Sequence, residues 1–418
     1  MPPANQPTND VLTVVGIGAD GWSGLTDGAR EEIGACDVLF GGRRQLDLVP
    51  ASVPATRVEW PSPLLPALDG LLAEHAGRRR CVLASGDPLL SGIATTLITR
   101  YGQAPVRVVP ALSSVTLARA RLGWSFEETE VISSVARSVD RVARALAPGR
   151  RLLVLSSTAG TPGEVAGLLA DRGYGASTLT VLENLGADGE RSYQGTARDW
   201  SHPPGADLNV VAVECAADAG TVPHATVAGL PDDAFEHDGQ ITKRDLRAAA
   251  LARLAPMPGQ LLWDIGAGAG SVAVEWCRAH PSNRALALER DPTRAARIER
   301  NAHLLGVPDL RVATEAAPDG LPADERPDAI FVGGGVSAPG MVPACVDTLA
   351  PGGRLVAHAV TVEAESALLA AYRDYGGELV RIGAEHATPL GGFTGWQPAR
   401  TVTQYSLLVG EPGQHSSG

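Results

Sequence analysis

Lysine is nearly missing from this chain of 418 residues: of its 35 basic residues 34 are arginine, and Lys243 is the only lysine. A codon bias toward arginine, alanine and glycine accounts for the ratio. Where arginine serves nearly everywhere, however, a lone lysine is a candidate for a site that needs a compact ammonium. Excess positive charge is missing as well. The formal net charge is −12 and no basic patch is interleaved with aromatics, which disfavours a nucleic-acid partner. No stretch approaches the ~20 uninterrupted apolar residues needed to cross a bilayer, so no membrane association is expected. The first ten residues, MPPANQPTND, lack a basic n-region and an apolar h-region and are expected to be a frayed tail, not a signal peptide. The five cysteines (Cys36, Cys81, Cys215, Cys277, Cys345) are scattered without a C-x-x-C pair. That argues against a disulfide framework or a zinc site and fits a reducing cytoplasm. There is no internal repeat, no low-complexity run except the tail GEPGQHSSG, and no set of residues suggesting a catalytic triad or a metal centre.

What is present is a repeated alternation of short apolar strands with helical segments. The length favours two domains or more, and the hydrophobic fraction of 44% with 20% charged residues suits globular α/β domains. In the first half VLTVVGIG, DVLFGG, CVLASGDP, VRVVPALSS, RLLVLSS, TLTVLENLG and LNVVAVEC read as strands. Helices are expected from about Thr26 and near Thr161-Pro162, where proline is tolerated in a first turn. Residues 217–228 read as a small, polar linker, so the domains are expected at 1–216 and 229–418. In the second half DLRAAALARLA is a helix ahead of the first strand. Asp291-Pro292 should cap and start a further helix. LRVAT, DAIFVGGG, GRLVAHAV, ELVRIG and TVTQYSLLVG supply five more strands, the last two suited to an antiparallel ending. This alternation implies a doubly wound, mostly parallel sheet.

The most specific pattern is LLWDIGAGAG at 261–270, a strand that ends in an acid and runs into a glycine-rich turn. Gly266, Gly268 and Gly270 let a ligand lie against the backbone where a helix begins. Nineteen residues beyond Gly270, a second strand ends in Glu289, placed to accept hydrogen bonds from both ribose hydroxyls of an adenosine. The spacing G-x-G-x-G preceded by Asp264 is the S-adenosylmethionine (SAM) variant of the turn. Ser271 stands where a dinucleotide fingerprint would have glycine. Thr242 and Lys243 precede the first helix, close enough to fold over the ligand. Ala316-Ala317-Pro318 follows the third strand, where such folds place the adenine. Gly333-Gly334-Gly335 ends the fourth, where a methyl acceptor would enter. The first half has Gly86-Asp87-Pro88 and Ser113-Ser114 at strand carboxyl ends, where α/β proteins bind ligands.

Through VVGIGADGWSGLT, DVLFGGRR, LASGDPLLSGI and PALSSVTLARARLGW the N-terminal half resembles the tetrapyrrole methylase family. The C-terminal half resembles its corrin-pathway partner through PDDAFEHDGQITKRDLR, LLWDIGAGAGSVAVEW, FVGGG, PGGRLVAHAVTVEAE and GGFTGW. The fusion is similar to the decarboxylating precorrin-6Y methyltransferases of cobalamin biosynthesis. The resemblance implies a tetrapyrrole methylase fold of two α/β subdomains followed by a Rossmann-like class I SAM methyltransferase domain. It implies methylation of carbon 5 by the first half, and decarboxylation of the ring C acetate with methylation of carbon 15 by the second. It places Asp87, Leu90, Ser113 and Ser114 at one SAM. Thr242, Asp264, Gly266, Ala267, Gly268, Ala269, Gly270, Glu289 and Ala317 belong to a second, making two SAM per chain. The polycarboxylate tetrapyrrole needs local cations, for which Arg43, Arg44, Lys243, Arg244 and Arg400 are candidates, with Lys243 expected to act in catalysis. A homo-oligomer in the cytoplasm is expected. Alternatives are a methyltransferase acting on RNA or protein, a nicotinamide dehydrogenase and a SAM-binding regulatory module.

Overall fold

The computed structural model describes residues 11–410; MPPANQPTND and the residues after Gly410 lie outside the described part. By internal contacts the chain divides into two units. One runs to Val139 and resumes over Pro148–Thr221. The other comprises Asp140–Ala147 and everything from Val222 on. Asp140–Ala147 thus groups with the second unit although it lies within the stretch expected to form the first domain.

In the first sheet of the first unit the inner strands carry continuous apolar runs and are buried on both faces, as a parallel sheet requires. Leu12–Ile17 lies between Arg80–Ser85 and Val106–Val109, with Val38–Gly41 and then Thr56–Glu59 beyond Arg80–Ser85. All five strands are parallel, so the turns after Ile17, Ser85 and Val109 share one edge of the sheet. Thr26 caps the helix Asp27–Gly34, its hydroxyl accepting the Ala29 N–H at 3.2 Å. A second five-stranded sheet follows in the order Thr129–Ser133, Arg151–Leu155, Asn209–Glu214, Thr178–Glu183, Arg191–Thr196. Only its first pair is parallel. Thr56–Glu59, Thr129–Ser133 and Arg191–Thr196 escape a reading by apolar runs. Each is a sheet edge rich in polar residues, where one side needs no apolar cover.

The second unit holds a seven-stranded sheet. Its order is Arg311–Ala313, Arg284–Leu288, Leu261–Ile265, Ala329–Val332, Arg354–Ala359, Val402–Leu408, Glu378–Ile382. The first five strands are parallel, and Val402–Leu408 inserts antiparallel between the last two. One face is covered by the helices Arg244–Leu254, Ser271–Ala279 and Pro292–Leu304, the other by Met341–Thr348 and Val362–Tyr375. Asp291 caps its helix as expected, Oδ1 accepting the N–H of Thr293 at 2.8 Å and of Arg294 at 3.3 Å. An antiparallel hairpin, Glu385–Leu390 with Phe393–Pro398, forms a sheet of its own. The sequence gives it no apolar alternation, and its residues are mostly exposed.

Candidate active site

The glycine turn of the second unit is built by two independent constraints. Gly266 and Gly268 have φ of +67° and +61°, where L side chains are disfavoured. A Cβ on Gly266 would also lie 2.8 Å from the Gly334 carbonyl oxygen, and one on Gly268 2.6 Å from that of Gln240. The turn is therefore pinned between the loop after the fourth parallel strand and the segment ahead of the helix Arg244–Leu254. Glu289 is 6% exposed. Its Oε2 accepts the Gly268 N–H at 2.8 Å and its Oε1 the Asp291 N–H at 3.1 Å. An ionised carboxylate offers about four lone-pair directions, so two stay open for a diol.

Asp264 is 1% exposed, and its Oδ2 accepts the Ala273 N–H at 3.0 Å. Burial pushes its carboxyl up to about 7, and the charge of Glu289 adds to the effect. Asp264, Ala269 and Gly270 do not reach the cavity wall. They support the turn from behind, with Gly270 starting the helix Ser271–Ala279.

In front of the turn opens a cavity of ≈ 820 Å³, within the ~300–1,000 Å³ of small-molecule sites. Thr242, Gly266, Ala267, Gly268, Glu289 and Ala317 line it, together with Lys243, Arg244 and Arg400. Glycines 333–335 form part of the same wall. Lys243 precedes the helix Arg244–Leu254, and its Nζ lies 3.5 Å from Asp232 Oδ2. Behind it the buried Arg247 donates to Glu275 Oε1 at 2.6 Å, to Asp232 Oδ1 at 3.1 Å and to the Thr242 carbonyl at 2.5 Å. Glu275 in turn accepts the N–H groups of Gly229 and Leu230. A core ion pair thus anchors both ends of the segment that carries Thr242 and Lys243 along the cavity.

In the first unit Asp87, Leu90, Ser113 and Ser114 are brought together around a slot of ≈ 90 Å³, walled also by Leu182 and Val210 of the second sheet. That volume is below the ~300–1,000 Å³ usual for small-molecule sites. Asp87 Oδ1 accepts the Leu89 N–H at 2.9 Å, and Ser113 caps the helix Ser114–Leu122 through the Thr116 N–H at 3.0 Å. Arg44 lines the slot and donates to Ser85 Oγ at 2.6 Å. Although the residue as a whole is exposed, desolvation of its guanidinium lowers its pKa. Arg43 instead pairs with Glu59 at 3.2 Å and does not line the slot.

A glycine turn, a buried acid after the next strand and a seven-stranded sheet, five strands parallel with an antiparallel ending, are the features of a class I methyltransferase domain. The tetrapyrrole (corrin/porphyrin) methylase family matches residues 11–200, and the precorrin methyltransferase domain family matches 233–409. A precorrin-6Y C(5,15)-methyltransferase (decarboxylating) of Mycobacterium tuberculosis is 48% identical over 95% of this chain and 99% of its own length. Its counterpart from a Sinorhizobium species is 45% identical over 96% of each. The C-terminal domain structure of precorrin-6Y C5,15-methyltransferase from Rhodobacter capsulatus is 43% identical, covering 44% of this chain and 98% of that one with a TM-score of 0.42. The chain belongs to the decarboxylating precorrin-6Y C(5,15)-methyltransferase family.

Sequence reasoning missed Gln240, Arg294 and His358, all on the cavity wall. For Gln240 and Arg294 the sequence carries no signal. His358 had one: it is the only polar residue between Leu355 and Val360 of an otherwise apolar strand.

Proposed function

We propose that this chain catalyses SAM-dependent C-methylation of a precorrin at carbons 5 and 15 with loss of the ring C acetate carboxylate. The observation that carries the reading is full-length similarity to enzymes of that name, at 48% identity over 95% of the chain. The family match favours this reading over a methyltransferase acting on RNA or protein. The first unit is assigned carbon 5; the second is assigned carbon 15 and the decarboxylation. Each unit holds its own SAM, giving two per chain.

SAM supplies a sulfonium methyl that is already a strong electrophile. The protein must therefore hold donor and carbon nucleophile in line at about 3–3.5 Å and keep water out. In the second unit Glu289 takes the ribose hydroxyls and the glycine turn receives the rest of the ligand along its backbone. Ala317 flanks the adenine, and Thr242 closes over it. Lys243, Arg244 and Arg400 offer cations to substrate carboxylates. In the first unit Asp87, Leu90, Ser113 and Ser114 contact SAM, and Arg44 faces the substrate. Among the described residues no helix is long and apolar enough to cross a membrane. The apolar residues Leu390, Phe393 and Trp396 stand exposed on the hairpin, which supports the expectation of a homo-oligomer. The buried, unbridged cysteines suit a cytoplasmic setting.

The test is the full chain with precorrin-6Y and SAM, followed by product mass. Gain of two methyl groups with loss of carbon dioxide is expected. Isothermal titration should give close to two SAM per chain. A product with neither change rejects the function, and a stoichiometry of one with both units folded rejects two sites.

A further inference from the structure

We infer that His358 is the proton-transfer residue of the second unit, carrying a proton from carbon 15 to the exocyclic carbon that the ring C acetate leaves behind. The inference rests on the proposed function and adds a residue and a step to it.

The chemistry demands such a group. When CH2–COO− loses carbon dioxide, the C–C bond breaks and its electron pair passes into the conjugated ring. The bridging carbon becomes nucleophilic and takes the methyl: a C–C bond forms, the S–C bond breaks and its pair stays on sulfur. Replacing hydrogen by methyl at carbon 15 releases one proton. Converting the acetate to a methyl group takes one up. The two are equal in number, and the sulfonium charge lost balances the carboxylate charge lost. One group that is first base and then acid closes the cycle without an external proton.

Few such groups on the cavity wall are buried: Lys243, Asp245 and Glu315 line it but are exposed. Arginines stay protonated and cannot shuttle. Glu289 is committed to two backbone N–H groups, and Asp232 to Lys243 and Arg247. His386 is exposed on the hairpin.

His358 differs. It is the second-last residue of the strand Arg354–Ala359, next to the strand Ala329–Val332, which runs into Gly333–Gly335. It lines the cavity while only 8% exposed. Its ring packs edge-on against Phe331, centroids 5.1 Å apart. Its Nε2 lies 2.9 Å from Oε1 of the buried Gln404, directly opposite on the antiparallel strand. A carbonyl oxygen only accepts, so Nε2 carries the hydrogen and Nδ1 carries a lone pair. Nδ1 has no hydrogen-bond partner among the described residues. Burial lowers the imidazole pKa below its ordinary value, so the ring is neutral near pH 7 and able to accept a proton.

The experiment uses the full chain in single turnovers with saturating SAM. His358→Gln should slow carbon dioxide release and carbon 15 methylation together by about 10²–10⁴-fold. SAM affinity and carbon 5 methylation should change less than about threefold, below the ~1 kcal/mol of a typical lost hydrogen bond. Substrate carrying deuterium at carbon 15 should give wild-type product with deuterium in the new ring C methyl. Gln404→Leu, which keeps the imidazole but frees its tautomer, should slow the same step less than His358→Gln. Turnover of His358→Gln at the wild-type rate overturns the assignment, as does wild-type product with no deuterium in that methyl. If His358→Gln loses SAM binding, Gln404→Leu decides, and an unchanged rate overturns the role. A wild-type chain that releases no carbon dioxide from precorrin overturns the proposed function itself, and is distinguished by that result.

Discussion

Glu289 directly follows one parallel strand and Gly268 lies in the turn after its neighbour, and the carboxylate of the first accepts the N–H of the second at 2.8 Å. The acid that would hold the ribose therefore also shapes the turn on which the rest of the ligand lies. Glu289→Gln keeps one acceptor oxygen and loses the charge. Charge-assisted hydrogen bonds contribute about 1.5–3 kcal/mol, so SAM affinity in the second unit should fall by roughly 10–150-fold. Carbon 5 methylation should persist. Calorimetric titration of the full chain checks this, with one of two binding events weakened. Two undisturbed events would remove Glu289 from the site.

Ser113 and Ser114 both line the slot, but only Ser113 also caps a helix. The Ser113 hydroxyl is committed to the Thr116 N–H at 3.0 Å. Ser113→Ala should cost about 1 kcal/mol of stability in the first unit, read as a lower denaturation midpoint. Ser114→Ala should leave the midpoint alone and weaken SAM binding there. If Ser114→Ala changes neither quantity, Ser114 is only a helix-start residue.

Asp264 predicts an unusual pH response. Its folded-state pKa, about 7, lies above the ordinary carboxylate value of 3.8. Between those values the folded chain binds more protons than the unfolded one, so this group makes stability fall as pH rises from about 4 to 7. Asp264→Asn cannot ionise, and its carbonyl can still accept the Ala273 N–H. The variant should unfold at higher denaturant than wild type at pH 8, by about 1–4 kcal/mol, and match it near pH 4. Chemical denaturation across that range tests the sign; a variant weaker than wild type at pH 8 would show that the charged carboxylate is needed.

Lys243 has a partner, Asp232, at 3.5 Å, but its side chain is half exposed. Exposed pairs contribute about 0–1 kcal/mol, so Lys243→Ala should change stability little. If the ammonium grips a substrate carboxylate, Lys243→Ala should slow carbon 15 methylation and decarboxylation together, by about tenfold or more for one lost charge-assisted contact. Lys243→Arg should fall between the two, since the guanidinium keeps the charge in a bulkier planar group. SAM affinity should be nearly unchanged. Equal single-turnover rates for all three proteins would reject the role.

The local parts of the second site were legible because local rules set them. A strand ending in Asp264, glycines 266, 268 and 270 and a second strand ending in Glu289 lie within thirty consecutive residues. Caps such as Thr26 and Asp291 likewise show in the sequence, because each satisfies N–H groups two or three residues away. The polar edge strands and the hairpin Glu385–Leu390/Phe393–Pro398 did not show, because neither buries an apolar face and no periodic signal remains.

By itself, then, the sequence determined the two-part α/β organisation, the SAM-type turn with its acid and the family to which the chain belongs. These rest on short-range spacing and on strings of residues. Only the tertiary structure decided which nominated residues face the cavity and which stand behind it. Asp264 and Ala269 fell behind the wall, while Gln240, Arg294 and His358 joined it. It also decided that Arg247, Glu275 and Asp232 anchor the segment over the site. Such placements depend on which strands become neighbours. His358 meets Gln404 across 46 residues of chain because Val402–Leu408 inserts beside Arg354–Ala359, and that pairing is fixed by burying both faces of the whole sheet, which no local stretch of sequence records.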